Sequence, residues 1–452
     1  MVDCLAGADS LYRIFDGQHV AVLEWEGDQP GPTASLPTGG RDCSGGRVDR
    51  VVFRVCVDRS CAGVSGVRSP GAAGLFVGTE ETTGRNSSLR SEHKIQPLQV
   101  EMTSKVYRIG VVGASSLAGK ELSDELAESP LAASNVVLLE DEEDAAGKLT
   151  AAGDEAAFIQ KIDAASFEDM DFVFFVGEPD GTMKHWQEAR KAGASIIDLT
   201  YALEGEKDVL VMSPWVSEAL GKKVPLGGEL HLGTQAVIPA HPVVVMLGLI
   251  GARIHGRLPL VTLAATVMEP ASEHGRAAMD EMHQQTVSLL SFQDLPREQY
   301  DAQVSFNLLP TLGAEAKVKL GETENRIRAQ YKALSNGTLP PLAIQIVQAP
   351  VFHGYVASVF VELKEPTTVA EMERILAGAY IDIVTNGSEP PSNLSAAGQE
   401  EIMVRVASSS GDREGDTRFW FWLAIDNLKF TALHAIACAG ELRRLRPSGK
   451  VQ

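Results

Sequence analysis

Histidine and carboxylate side chains gather at three places in the second half of the chain. His241 stands between two prolines in Ile238-Pro239-Ala240-His241-Pro242-Val243. Glu269 comes shortly before Ser272-Glu273-His274-Gly275, and Gln348, His353 and Tyr355 follow close together. Imidazole and carboxylate exchange protons near neutral pH and also suit zinc or iron. His241, Glu269, His274 and Tyr355 could therefore form an acid/base or metal-binding group. Against this, scattered His and Glu are usually not ligands, and nothing in the spacing makes these four converge. Tyr355, with an unperturbed pKa of about 10, is a poor proton shuttle at neutral pH.

A second cluster is glycine-based. Gly110-x-x-Gly113-x-x-x-x-x-Gly119 lies between an apolar run and a helical stretch. Glycine lets backbone approach a pyrophosphate, and the helix N-terminus behind it supplies positive partial charge. The candidate nucleotide-binding residues are Gly110, Gly113, Ala114, Ser115, Ser116, Leu117 and Gly119. The spacing is not G-x-G-x-x-G, and a glycine turn in any βα unit looks the same. Further on, Glu140-Asp141-Glu142-Glu143-Asp144 offers an acid for a ribose 2′-hydroxyl, and the run would repel the 2′-phosphate of NADP. A solvated acidic loop is the competing reading. The expected cofactor is NAD or NADP, weakly bound, with NAD favoured.

These residues must be positioned by regular elements. Arg108–Gly113, Asn135–Glu140, Asp171–Gly177, Ser195–Asp198 and Val209–Met212 read as short apolar strands. Helices at about Leu117–Glu128 and Met183–Ala192 fall between some of them. Such alternation predicts a parallel sheet with crossover helices. After about residue 228 the rhythm changes. Pro242–Ala252 reads as a buried helix, Leu258–Met268 as a long strand, and Gly275–Leu290 and Glu322–Leu334 as helices. Leu342–Gln348 and Val356–Leu363 are strands, Thr368-Val369-Ala370-Glu371 is a capping box, and Phe419–Ile425 leads into a last helix opened by Asp426-Asn427. The fold class is α/β: a parallel-sheet domain at 102–230 plus an α+β domain at 231–425.

The 452 residues suffice for two or three domains. With 60 acidic against 40 basic residues the formal charge is −20, which argues against nucleic-acid binding. The longest apolar stretch, Pro242–Ala252, is too short to span a bilayer, and the start of the chain has no secretory pattern. A soluble, cytoplasmic protein with no membrane partner is expected. The five cysteines (Cys4, Cys43, Cys56, Cys61 and Cys438) form no CxxC pair or Cys/His ladder.

The first 101 residues differ in character. They hold 14 of the 42 glycines and no sustained apolar period. Loops or disorder are expected there, either as a genuine extension or as an over-extended reading frame that starts ahead of Met102.

Taken in order, the motifs resemble those of the aspartate-semialdehyde dehydrogenase family across residues 105–446. Gly113-Ala114-Ser115-Ser116-Leu117-Ala118-Gly119 is similar to its GATGxVG turn, and Ala194-Ser195-Ile196-Ile197-Asp198-Leu199-Thr200 to its AGAxVIDxS segment. Phe306-Asn307-Leu308-Leu309-Pro310 matches FNxIP. Ala349-Pro350-Val351-Phe352-His353-Gly354 and Val359-Phe360-Val361-Glu362-Leu363 resemble its paired strands, and Asp426-Asn427-Leu428-Lys429 the start of its last helix. The resemblance implies a Rossmann-type dinucleotide-binding domain at 102–230 completed by helix 426–446, an α+β domain that makes a homodimer, and NADPH-linked reduction of β-aspartyl phosphate through a cysteine thioester.

The same resemblance places the departures. His241 replaces the cysteine nucleophile, Tyr355 the acid/base histidine, Gln348 the substrate-binding arginine and Glu269 a glutamine. Val318 stands at the phosphate-binding lysine position, between Lys317 and Lys319, and Ser116 replaces the second glycine of the nucleotide turn. No cysteine lies between residues 62 and 437. The pattern is nearest the cysteine-free Usg-type branch. The leading expectation is a non-catalytic, nucleotide-binding or regulatory homologue. The alternatives are an enzyme with new His/Glu chemistry and a working aspartate-semialdehyde dehydrogenase.

Overall fold

The apolar strands in the first half of the main body assemble into one parallel sheet. The computed structural model describes residues 107–446, apart from 130, 132–134, 142–146, 148, 153–154, 164, 223–229, 386 and 412–414, together with three short strands near the N-terminus. Those strands, β1 (Val2–Cys4), β2 (Tyr12–Asp16) and β3 (His19–Leu23), form an antiparallel meander. They belong to a separate unit, Met1–Pro97. The rest of the head, where loops or disorder are expected, lies outside the described residues.

In the main unit the chain runs β4 (Arg108–Val112), α1 (Leu117–Ala127), β5 (Asn135–Glu140), β6 (Leu149–Ala152), β7 (Glu155–Phe158), β8 (Gln160–Lys161), β9 (Phe172–Phe175) and α2 (Pro179–Lys191). There follow β10 (Ser195–Asp198), β11 (Val209–Met212), α3 (Pro214–Ala219) and β12 (Ala236–Pro239). Seven of these strands form a parallel sheet in the order β11-β12-β10-β9-β4-β5-β8. Alternation along β9 decides which face each side chain covers. Phe172 and Phe174 pack with α1, while Val173 and Phe175 pack with Trp186 and Ala189 of α2. Ala435, Cys438, Ala439 and Leu442 of the last helix (Asn427–Leu445) join the α1 side, so this helix completes the core.

The boundary falls later than the sequence suggests. The change of rhythm near residue 228 points to a new domain from 231, yet β12 pairs with β10 and β11 in the first sheet. Four residues followed by a proline and then a long apolar helix do not stand out as a strand.

The second layer begins with α4 (Pro242–His255), β13 (Leu260–Glu269), a 3-10 turn at Ala271–His274, α5 (Gly275–Leu290) and α6 (Leu320–Ser335). It continues with β14 (Leu342–Gln348), β15 (Tyr355–Thr367), α7 (Val369–Leu376), β16 (Ile381–Ile383), β17 (Ile402–Ser408), β18 (Asp416–Ile425) and α8 (Asn427–Leu445). The mixed sheet has the order β14-β13-β15-β18-β17-β16. One face meets α4, α6 and α7 in the largest core of the molecule. Val243 to Leu247 of α4 are almost wholly buried, each worth about 1.5–3 kcal/mol of apolar transfer for its larger side chains. On the other face of the sheet Val261, Trp420 and Trp422 are exposed. Among the described residues no helix is long and apolar enough to cross a membrane.

Candidate functional site

The two layers meet where β12 hands the chain to α4, and His241 sits at that junction. Pro242 occupies the first helical position, where its missing N–H costs nothing. His241 is the cap. Its Nδ1 accepts from the Val243 amide at 3.2 Å, and its own amide donates to Gln330 Oε1 at 2.8 Å. An accepting Nδ1 places the ring proton on Nε2 in the neutral ring. Nε2 lies 3.3 Å from Glu273 Oε1, within ion-pair reach but without hydrogen-bond alignment. His241 is 1% exposed. Its ring stacks on Tyr201 at 5.9 Å and meets Tyr355 edge-on at 6.0 Å.

Glu269 ends β13 and is fully buried. A carboxylate in that position is costly unless paired. It is paired twice: His274 Nε2 is 2.6 Å from Oε1, and the Tyr355 hydroxyl donates to Oε2 at 3.3 Å. Burial alone would lower the His274 pKa, but the Glu269 charge and the hydrogen bond to it prevail and hold it above its ordinary value. Glu273 is the reverse case. Burial pushes its pKa up, and the neighbouring His241 and His274 bring it below the usual carboxylate range. For Tyr355 burial and then the charges of Glu273 and Glu269 drive the phenol well up, so it stays a donor.

Thus His241, Glu269, His274 and Tyr355, separated by up to 114 positions in the chain, are brought into one buried polar group. Gln348 is close by but faces away. Its amide donates to the backbone carbonyls of Glu269 and Ala349, each at 3.1 Å, and its Oε1 is buried without a partner. It fastens β14 to β13. His353, two residues ahead of Tyr355, lies before β15 begins, and Gly354 between them has φ +85°, so the two side chains do not follow the same-face alternation of a strand. Val318 is buried, with Lys317 and Lys319 exposed on either side.

Four further members were not legible as site residues: Tyr201, Glu204, Arg326 and Gln330. Arg326 lies over the Tyr201 ring at 4.6 Å and donates from Nε to Glu204 at 2.9 Å. Gln330 Nε2 donates to the same carboxylate at 2.6 Å. The four-residue spacing of Arg326 and Gln330 on a helix places both on one face, which is the signal the sequence held. Glu273 carried a comparable one as the neighbour of His274. Among the described residues no group of three or more His, Cys, Asp or Glu is placed to hold a metal ion, so the zinc or iron reading has no ligand set there. Cys438 is buried in α8 among the residues of the parallel-sheet core.

The glycine turn lies at the end of β4. Gly113 has φ +88°, and a Cβ there would collide with the backbone of Gly177. At Gly119 a Cβ would collide with the carbonyl of Gly113, so both glycines are required for the tight turn that sets α1 against the sheet. Gly110 lies mid-strand, where a Cβ would meet Met170 Sδ at 2.5 Å. Ala114 is buried in the core, and Leu117 opens α1. Ser116 caps α1, accepting from the Gly119 amide at 2.9 Å and donating to Val176 O at 3.1 Å. Serine in place of glycine therefore supplies a cap. Ser115 donates to Glu140 Oε2 through its hydroxyl at 2.6 Å and its amide at 3.1 Å. Next to it, Asp141 is paired with Lys184 and His185. Glu140 is thus engaged at the turn, Asp141 keeps a solvent-facing ion pair with Lys184, and residues 142–144 lie outside the described residues. The strand, positive-φ glycine and capped helix fit the pyrophosphate of a dinucleotide, which supplies hydride transfer when bound.

A parallel-sheet domain with a glycine turn, joined to a mixed-sheet domain with a buried polar group where the two meet, defines a two-domain dinucleotide-binding protein. Residues 108–223 match the family model described as semialdehyde dehydrogenase, NAD binding domain, and residues 252–430 the one described as semialdehyde dehydrogenase, dimerisation domain. The chain belongs to the semialdehyde dehydrogenase family. A USG-1 protein homolog of Pseudomonas aeruginosa is 30% identical over 342 residues, covering 75% of this chain and 98% of the relative. An aspartate-semialdehyde dehydrogenase of Rickettsia bellii is 23% identical over 341 residues, covering 75% and 98%. The solved structure of a probable aspartate-semialdehyde dehydrogenase from Pseudomonas aeruginosa superposes with a TM-score of 0.65 at 28% identity, over 76% of this chain and all of the other. The NAD-binding domain and its turn support NAD(P) binding.

Proposed function

We propose that this chain is a semialdehyde dehydrogenase-family protein that has kept the nucleotide-binding frame and given up the thioester reaction. The observation that carries the reading is the engagement of His241. A thioester mechanism needs a thiolate that is both nucleophile and leaving group. At the helix entrance stands an imidazole instead. Its Nδ1 lone pair is used on the Val243 amide and its Nε2 edge faces Glu273. Cys438 offers no replacement, because burial first and Glu441 second push its thiol pKa well up. Gln348 is spent on backbone and leaves no charged fork for a substrate carboxylate. What remains is weak NAD(P) binding with a regulatory role in the cytoplasm, as a homodimer formed over the sheet face that carries Val261, Trp420 and Trp422. The test is phosphate-dependent reduction of NAD+ or NADP+ with aspartate semialdehyde, followed at 340 nm, where no rate above the enzyme-free control is expected.

A second reading is an active aspartate-semialdehyde dehydrogenase, the name carried by the Rickettsia bellii relative. Turnover of order 1–10³ per second in the same assay would establish it.

A further inference from the structure

The Glu273 carboxylate fills the space in front of the buried His241 ring. The Val243 amide donates to Nδ1 of His241, so in the neutral ring the proton is on Nε2, 3.3 Å from Glu273 Oε1. The Tyr355 hydroxyl, fully buried, stands against the same carboxylate while reaching Glu269 Oε2. His274, largely buried and bonded to Glu269, adds an imidazole that favours negative charge beside it. A buried imidazole N–H edge 3.3 Å away and a phenol shared with Glu269, both largely shielded from water, border this carboxylate and are the components of a carboxylate-binding site. Nε2 of His241 has no aligned partner, so it can serve a better-placed oxygen than the one Glu273 provides.

Glu273 reaches this place from a short 3-10 turn that ends at Gly275, φ +76°. A Cβ on Gly275 would meet nothing within 4 Å, so the glycine serves the backbone conformation and not a close contact. The Glu273 side chain is 18% exposed, which leaves a route from solvent to the spot it fills.

Resting on the reading that the thioester chemistry is gone from this site, we propose that it is a small-monocarboxylate site filled by the protein's own Glu273, a tethered ligand that keeps external anions away from His241. Glu273→Ala removes a fragment of the size and charge of acetate and should open the site to it.

The experiment titrates sodium acetate, against sodium chloride at equal ionic strength, into the full-length wild type, Glu273→Ala and the volume-matched Glu273→Gln. Melting temperature and calorimetric heat are followed. Glu273→Ala should bind acetate saturably, with Kd on the order of 1–10 mM for so small a ligand, and should melt higher in acetate than in chloride. Wild type and Glu273→Gln should show neither effect. If Glu273→Ala folds only when acetate is present, the proposal stands on that refolding. Native-like Glu273→Ala without saturable binding overturns it, as does an equal response from all three proteins or failure to fold in either salt. Acetate binding needs no turnover, so a dehydrogenase rate in the wild type would sink the preceding reading without deciding this one, and a flat acetate titration would sink this one alone.

Discussion

His274 Nε2 lies 2.6 Å from Glu269 Oε1, joining the turn before α5 to the end of β13. The folded-state pKa of His274 is raised above the ordinary 6.5. A group whose pKa rises on folding stabilises most when it is protonated in both states, below the unfolded value, and loses that contribution as pH climbs through the folded value. The melting-temperature difference between wild type and His274→Gln should therefore be largest below about pH 6.5 and shrink above it. A constant difference from pH 5 to 9 would mean that the charge on this ring contributes nothing to folding.

The elements that hold this pair were legible in outline. Strict apolar runs such as Phe172–Phe175 and Pro242–Ala252 of α4 reveal themselves by composition, because both faces are covered. Less visible was β17, Ile402–Ser408, where Arg405 and Ser408 interrupt the apolar run although burial alternates from Ile402 to Val406. The polar start of α2 also escaped notice, although Pro179 sits in its first turn. The site divides in the same way. His241 and Glu269 could be named because the family resemblance places them at the nucleophile and glutamine positions. Their convergence with Tyr201, Glu204 and Arg326 depends on how the two sheets dock, and no local spacing records that.

Cysteine chemistry gives a second test. Cys438 is fully buried and hydrogen-bonds weakly to Met212 O at 3.8 Å. A thiol with a pKa pushed up by burial reacts slowly, since only the thiolate is nucleophilic. Iodoacetamide labelling of the native protein, read peptide by peptide in a mass spectrometer, should leave Cys438 unmodified until denaturant is added. Rapid native labelling there would restore a sulfur nucleophile and weaken the case for lost chemistry.

Cofactor choice follows from β5. Glu140, half-buried and bound to Ser115, fixes a carboxylate at the strand end beside the turn, with Asp141 next to it. A 2′-phosphate would bring further negative charge to that neighbourhood. Calorimetry should show weak binding that favours NAD over NADP. Tight NADP binding with none for NAD would place the Lys184 and His185 side chains, not the acids, in control of that end of the site.

The last prediction concerns restoring the reaction. By the family resemblance, His241→Cys puts a thiol at the helix entrance, where the amides of the first turn lower its pKa. Alone it should recover little. The new sulfur would still face Glu273, whose carboxylate opposes thiolate formation, and Tyr355 would remain a phenol too basic to shuttle protons near neutrality. The substrate carboxylate would also lack a charged partner, because Gln348 stays bonded to the Glu269 and Ala349 carbonyls. A missing charged hydrogen bond costs roughly 1.5–3 kcal/mol, or about tenfold or more in rate. The triple variant His241→Cys, Gln348→Arg, Tyr355→His restores all three functions on one frame. Its rate with aspartate semialdehyde, phosphate and NADP+ should exceed that of His241→Cys by at least about tenfold. Equal rates in a triple variant with native circular dichroism would show that the frame no longer presents these positions to a common substrate.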